Sequence, residues 1–463
     1  MIRLFRIFVP KVVLTLVIGD ILLTYACFIF GAWLVHGELL SIYLFDETGM
    51  RNISFAVVSI VLGIYFQDLY SDFRMTSRLL YAQQVMTALG ATLIIQAIIV
   101  YVDRDLMLAR WVILASSGLI VFLLPLWRYG CLSFLRTTMG AQRLLLIGTD
   151  KSGIDLLNRL QARPELGMSA IGFLSNGVPR GECVAGLPVI GPTSELAAVI
   201  ARERPDRVVV NLAERRSVLP VETLLDLRFS GVRISEVGSL YEVAFGRVPI
   251  QYLRPSHLIF AEELGPSQFV MRLQTFYSFL IGAIVLIIAA PVMLLVALLV
   301  KLTSRGPVLF SQDRVGLNGK VFRIFKFRSM VVDAEAATGA VWAKKNDPRV
   351  TTFGKLIRKT RLDELPQIFN VLRGDMAIVG PRPERPEFVT VLTEQIPFYR
   401  QRHSVKPGVT GWAQINYKYG ETIEDTIVKL EYDLYYIKNL SPSLDLYILL
   451  NTVKVMLFSG HGQ

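Results

Sequence analysis

Five apolar runs of membrane length constrain this chain more than any other feature. Hydrocarbon offers a backbone no hydrogen-bond partners, so such a run folds as a helix that satisfies its own N–H and C=O groups. The first covers residues 12–35 and reaches about 36 Å, enough to cross a ~30 Å core. Residues 53–70, 79–101 and 111–126 follow closely and predict, with it, a four-helix transmembrane bundle over residues 1–135. The fifth, residues 276–302, lies far down the chain with Pro291 in its middle. Asp20 interrupts the first run; a carboxylate at that depth is costly and is expected to face another helix or water.

Loop charges orient the bundle. Arg3, Arg6 and Lys11 precede it, the first loop carries Glu38, Asp46 and Glu47 against Arg51, and Arg128, Arg136 and Arg143 follow the fourth run. This bias predicts a cytoplasmic N-terminus and a chain that returns to the cytoplasm near residue 130.

With 463 residues, two or three domains are expected. Hydrophobic residues at 52% and charged ones at 19% fit a membrane protein with a substantial soluble part. The net charge of +11 suits an anionic bilayer surface or a nucleotide substrate, and the membrane runs favour these over nucleic acid. Cys27, Cys131 and Cys183 form no CxxC, which argues against disulfides and structural zinc. His36, His257, His403 and His461 are scattered, and His403 reads as structural. The apolar run after MIRLFRIFVPKVV is too long for a cleaved signal peptide.

Residues 140–260 change character. Strands are expected at 143–147, 170–174, 187–190, 207–211 and 233–236, with helices at 154–160, 195–202 and 220–230. That alternation predicts a Rossmann-like parallel sheet. Asp150 stands where a dinucleotide fingerprint needs glycine and adds negative charge beside the phosphates, so a scaffold, dimerisation or regulatory role is favoured over NAD binding.

The densest chemistry lies in residues 358–384, RKTRLDELPQIFNVLRGDMAIVGPRPE. Arg358, Lys359 and Arg361 precede the pair Asp363-Glu364, which Pro366 closes; Leu365, Ile368, Phe369 and Leu372 follow at helical spacing. Pro381 and Pro383 fix the backbone on both sides of Arg382, as suits a guanidinium that holds a phosphate. Carboxylates beside arginines are the material of phosphoryl chemistry, one as a nucleophile and one as a ligand for Mg²⁺. Taken alone, the pair reads more readily as helix-dipole stabilisation in a first turn, and the whole run is far more specific than the pair. Upstream, residues 306–314 and 319–327 read as two short strands, with Lys326 and Arg328 alternating with Phe325 and Phe327. Those cations suit phosphate recognition.

Five ordered blocks carry a resemblance: KFRSM (326–330), DPRVTTFGKLIRKTRLDELPQ (347–367), NVLRGDM (370–376), VGPRPE (379–384) and KPGVTGWAQIN (406–416). From about residue 276 to the C-terminus the chain resembles the monotopic phosphoglycosyl transferases, the bacterial sugar transferase family of exopolysaccharide and O-antigen initiation. Its larger members place a Rossmann-like module between a four-helix membrane bundle and the catalytic part, as the pattern here does. The resemblance implies three domains: the bundle, the Rossmann-like α/β domain, and an α+β catalytic domain with a re-entrant membrane helix over residues 270–463. It implies that Asp363 attacks the sugar-bound phosphate of a UDP-sugar, releases UMP and passes the phosphosugar to undecaprenyl phosphate. Glu364 is then the Mg²⁺ partner, and Lys326, Arg358 and Arg382 contact phosphate, with Arg328 added as substrate-binding by its alternation with the rings. The implied location is the bacterial inner membrane, with the catalytic domain on the cytoplasmic face.

Arg272, Lys301 and Arg305 put positive charge on both sides of the fifth run, which also favours both ends on the cytoplasmic face. Pro291 removes a helix hydrogen bond and can bend the run back. The family commonly has a serine before this proline; here it is Ala290. Residues 440–458 suit an interfacial amphipathic helix or core packing equally, and the charged, aromatic helix at 429–436 carries no evident role. A homodimer is compatible with the extra soluble module. The competing class is a membrane-anchored nucleotide-sensing or complex-organising protein of polysaccharide export.

Overall fold

The computed structural model describes residues 2–4, 7–9, 11–45, 48–66, 69–70, 85–90, 92–93, 96–97, 100–101, 103–138, 141–163, 166–211, 221–252, 267–332, 347–417 and 422–458. The chain divides into two compact units, one ending at Val237 and one running from Gly238 to Gln463.

The first unit holds the membrane runs and the α/β sheet. Helices α1 (Lys11–His36), α2 (Gly49–Phe66) and α3 (Arg110–Thr138) match three of the expected runs, and each is long and apolar enough to cross a membrane. Of the expected run at 79–101, residues 85–90, 92–93, 96–97 and 100–101 are described, and they are helical. Asp20 faces neither lipid nor water: it is fully buried and paired with Arg128 of α3. Arg128, expected as a loop charge after the fourth run, lies inside the bundle instead.

The sheet comprises β1 (Gln142–Ile147), β2 (Met168–Leu174), β3 (Cys183–Val184), β4 (Leu187–Gly191), β5 (Arg207–Val210) and β6 (Arg233–Glu236), in the order β3-β4-β2-β1-β5-β6. All pairings are parallel except β3 with β4. Helices α4 (Lys151–Gln161), α5 (Leu196–Glu203) and α6 (Val221–Phe229) intervene. Leu145, Ile147, Val208 and Val210 make its strands near-continuous apolar runs, as a sheet covered on both faces requires. At the end of β1, Asn211 donates to the carbonyls of Gly148 and Asp150 at 3.2 and 3.0 Å, and Ser152 donates to Asn211 at 2.7 Å.

The second unit begins earlier than residue 260. Helix α7 (Val237–Phe245) leads into a strap that packs on the catalytic core: Trp412 donates to the Gly246 carbonyl at 2.7 Å, and Arg247 pairs with buried Glu431. Buried polar partners, invisible in the composition of the strap, explain the shift. Residues 251–274, with Pro255 and Pro266, read in the sequence as a linker; both prolines lie outside the described residues.

Helix α8 (Gln268–Thr303) contains the fifth run and stays helical through Pro291. Strands β7 (Leu309–Val315) and β8 (Val321–Phe327) pair antiparallel, as the turn between them predicts. Then come α9 (Thr352–Lys359), α10 (Gln367–Arg373), β9 (Ala377–Val379), α11 (Pro386–Gln395) and β10 (Gly408–Thr410), followed by α12 (Trp412–Asn416), α13 (Ile423–Asn439) and α14 (Pro442–Phe458). Strands β9 and β10 pair in parallel beneath the site.

Candidate active site

The carboxylate pair sits on a deliberate break between two helices. Thr351 caps α9 by accepting from the Gly354 N–H at 2.9 Å, and α9 runs out at Thr360. Arg361 then takes left-handed backbone angles, with φ +59°, a conformation that costs a branched or long residue roughly 1–3 kcal/mol. This reversal throws the chain into the one-turn 3₁₀ segment Leu362–Glu364. Asp363 and Glu364 therefore precede α10 rather than filling its first turn.

Asn370 brings the opposite wall into place. It is fully buried on α10, its Nδ2 donates to the Arg323 carbonyl at 2.7 Å, and its Oδ1 accepts from the Phe325 N–H at 3.1 Å. This bolt fixes β8 against the helix, so that Lys326 reaches across and donates to Glu364 Oε1 at 2.8 Å. From the other side Arg382 Nη2 donates to the same oxygen at 2.7 Å.

The two carboxyls are driven apart electrostatically. Burial works against the Glu364 charge, but Arg382 and Lys326 outweigh it and hold the carboxyl well below the usual range. Asp363 moves the other way: burial and the neighbouring Glu364 raise it, against the pull of Lys326, Arg358 and Arg382. One site thus holds a firmly ionised carboxylate beside one that resists charge.

Of the four expected cations, Lys326 and Arg382 converge on Glu364, and Arg358, in the last turn of α9, acts on Asp363 through its charge. The structure does not bring Arg328 to the pair. Strand β8 ends at Phe327, and Arg328 turns to the C-terminus of α8, donating to the Ser304 carbonyl at 2.8 Å and hydroxyl at 2.6 Å. The negative end of a helix dipole suits a guanidinium there. His403 fits its structural reading: burial, then adjacent Arg402, pushes it down to about 4, so it is neutral at pH 7.

The turn that bears Arg382 rests on the 406–412 segment. Gly380 donates to Thr410 O at 2.8 Å, and Gly408 donates to Pro381 O at 3.0 Å. A Cβ on Gly408 would fall 2.0 Å from the Gly380 nitrogen. Backbone on both sides leaves nothing free to yield, so Gly408→Ala is expected to destabilise the unit by about 1–3 kcal/mol or more. Thermal unfolding and the accompanying loss of activity would measure it.

A magnesium ion would find one ionised carboxylate here, Glu364, whose Oε1 also accepts from Lys326 and Arg382. Mg²⁺ is held by one or two carboxylates together with substrate phosphates and water rather than by an all-protein cage. Glu364 offers an ionised carboxylate, and the described residues hold no cluster of three or more acidic, histidine or cysteine ligands.

Sequence reasoning missed Asn370, Arg402 and Asp433. Asn370 and Arg402 lie in or beside the ordered blocks, but their spacing gives no sign of which backbone groups they reach.

Residues 269–459 match the family model described as bacterial sugar transferase, and residues 65–234 match one described as a CoA-binding domain. The chain is 36% identical to a UDP-glucose:undecaprenyl-phosphate glucose-1-phosphate transferase of Xanthomonas campestris pv. campestris, over 71% of this chain and 69% of that protein. A protein of the same name from Klebsiella pneumoniae is 35% identical over 74% of this chain and 73% of its own length. A UDP-N-acetylgalactosamine-undecaprenyl-phosphate N-acetylgalactosaminephosphotransferase of Aeromonas hydrophila is 44% identical over 50% of this chain; the match spans about half, 53%, of that relative.

Proposed function

This chain belongs to the bacterial sugar transferase family, and from that premise we propose that it moves a sugar-1-phosphate from a UDP-sugar to undecaprenyl phosphate, beginning an exopolysaccharide or O-antigen. The observation that carries the reading is the divided pair: Asp363, buried and resisting charge, beside a Glu364 that gathers Lys326 and Arg382. A desolvated carboxylate is a stronger nucleophile once ionised than a hydrated one.

In the first step an Asp363 carboxylate oxygen forms a bond to the phosphorus that carries the sugar. The bond from that phosphorus to the bridging oxygen breaks, and UMP leaves with the electron pair. A phosphate oxygen of undecaprenyl phosphate then attacks the same phosphorus, the aspartyl bond breaks, and Asp363 returns as a carboxylate. Lys326 and Arg382 move from Glu364 toward the phosphate oxygens and neutralise charge there, most of what phosphoryl transfer asks of a protein. Glu364 would hold Mg²⁺, which supplies further neutralisation when bound.

Packing of α8 supports a membrane-dipping rather than a crossing helix. Gln274, near one end, donates to Val379 O, while Val300, near the other, packs with Phe327 and Ile357. In a straight helix these residues stand about 39 Å apart, more than a ~30 Å core, yet both touch one catalytic unit. A bend at Pro291 reconciles the two, with the catalytic unit on the cytoplasmic face of the inner membrane, where nucleotide sugars are made. The outer side of the helix, including Ile287, Ile288, Leu294 and Leu302, is exposed and apolar, as lipid contact requires.

A panel of UDP-sugars with undecaprenyl phosphate and Mg²⁺ tests the reading, scored by UMP release and lipid product. Product from one donor is expected; nucleotide binding with no lipid product from any donor would favour a sensing or organising role. A pH profile adds a sign. Asp363 attacks as the ionised carboxylate, so kcat/KM is expected to fall in acid with a midpoint above the ~3.9 of free aspartate. Lys326 favours the charged form, so the residual activity of Lys326→Met should show that midpoint moved to still higher pH.

A further inference from the structure

Arg402 and Asp433 take no part in the transfer steps, yet the fold seals both from water, at 6% and 2% exposure. Burying two charges is costly unless their geometry satisfies them, so the partners of the pair are informative. Arg402 Nη2 and Nε donate to Asp433 Oδ2 at 2.8 and 3.2 Å, and Nη1 donates to the Tyr399 hydroxyl at 2.7 Å. Nη2 also donates to the backbone carbonyl of Arg382 at 3.0 Å. The buried pair therefore grips the residue whose side chain reaches Glu364.

The turn needs such a grip. Pro381 and Pro383 bracket Arg382 and have no N–H to donate, so the carbonyls must anchor this backbone. Gly408 N–H holds the Pro381 carbonyl at 3.0 Å, Arg314 holds that of Pro383 at 3.2 Å, and Val315 N–H holds that of Glu384 at 2.9 Å. The carbonyl of Arg382 is tied by a charge-assisted bond, about twice as strong as a neutral one. Rotation of that one peptide would swing the long Arg382 side chain away from Glu364.

We infer that Arg402, braced by Asp433 and Tyr399, is a positioning residue that aims Arg382 at the transferring phosphoryl group. The inference rests on reading Arg382 as a phosphate-holding residue. All three guanidinium nitrogens of Arg402 are engaged by Asp433, Tyr399 and the Arg382 carbonyl, so its effect passes through Arg382. Misplacement by about 1 Å costs up to 10²-fold in rate.

The test is a double-mutant cycle on the full chain in detergent or nanodiscs, using the donor found by the UDP-sugar panel. Arg402→Lys and Tyr399→Phe are each measured in the wild-type and Arg382→Ala backgrounds, with thermal unfolding as the check on folding. Arg402→Lys is expected to lower kcat/KM by about 10–100-fold in the wild-type background and by less than about 2-fold when Arg382 is absent. Tyr399→Phe keeps both charges and removes one brace, so a smaller loss confined to the wild-type background is expected. It carries the test if Arg402→Lys does not fold. A purely structural role would reduce the active fraction alike in both backgrounds, leaving KM unchanged, and equal losses would overturn the inference. Wild-type rates in Arg382→Ala alone would instead overturn the reading of Arg382 on which it rests.

Discussion

Asp363→Asn is expected to abolish transfer and to make the protein more stable. The first effect follows from the proposed covalent step: an amide cannot form the aspartyl–phosphorus bond, and loss of a nucleophile costs more than about 10⁴-fold in rate. The second follows from linkage. Burial raises the Asp363 pKa in the folded state above its unfolded value. The folded state therefore binds the proton more tightly, so this group's contribution is present below the unfolded pKa and is lost as pH rises through the folded pKa. Near neutral pH the charged side chain is a burden on the fold, and the isosteric amide lifts it. The Tm gain should appear at pH 7–8 and vanish in acid, where Asp363 is protonated in both states. Without lipid acceptor, wild-type protein incubated with donor should gain the mass of one phosphosugar at Asp363, and the variant should not. A variant that retained the wild-type rate would remove the aspartyl intermediate from the mechanism.

Opposed effects of one substitution are expected where a fold stores unfavourable electrostatics for chemistry. Glu364 shows the converse. Its carboxyl is depressed, so it contributes stability above its unfolded pKa that is lost as pH falls through the folded one. Adjacent residues thus carry contributions of opposite sign, and Lys326 and Arg382 already engage Oε1 of the stabilised one.

The parts of this architecture set by local pattern were legible before any coordinates. Strand β6 coincides with its expected bounds and β5 differs by one residue, because a buried parallel strand is a short apolar run closed by turn residues. Lys326, Glu364 and Arg382 were legible together through the order of their motifs; the contact between Lys326 and Glu364 depends on the Asn370 bolt, which no periodicity reveals. Arg328 misled for a related reason. Its alternation with Phe327 is real, but the strand ends there, and the strongest acceptor within reach is the end of α8, far back in the sequence. Asp433 was hidden by its surroundings. The charged letters of KLEYDLYY suggest a solvated face, whereas Leu430 to Ile437 are all buried and α13 has no solvent side along that stretch. Burial on every face is decided by what packs around a helix, which its own sequence does not record.

Arg128→Met is expected to be among the most destabilising single changes in the membrane bundle, at about 3–5 kcal/mol. Arg128 Nε lies 3.1 and 3.0 Å from the two Asp20 oxygens, and Nη1 donates to Leu69 O at 3.2 Å. Tyr70 donates to Asp20 Oδ2 at 2.8 Å, and its ring lies 4.7 Å from the guanidinium carbon. Both charged side chains are fully enclosed, so removing the cation strands a carboxylate with a single phenol for company. Asp20→Asn should cost less, because the amide oxygen still accepts from Arg128 and Tyr70. Combining Asp20→Leu with Arg128→Met should recover much of the loss, because an apolar pair needs no desolvated charge and the two sites are directly coupled. Unfolding of purified protein in mixed micelles would measure all three, with transfer activity as an independent readout. A neutral Arg128→Met would mean that water or another cation reaches Asp20, and the carboxylate would then belong to a polar path through the bundle rather than to its packing. A large single loss with recovery in the double variant would instead assign the pair to the register between α1 and α3, where a buried ion pair discriminates against slipped helices that an apolar seam alone would tolerate.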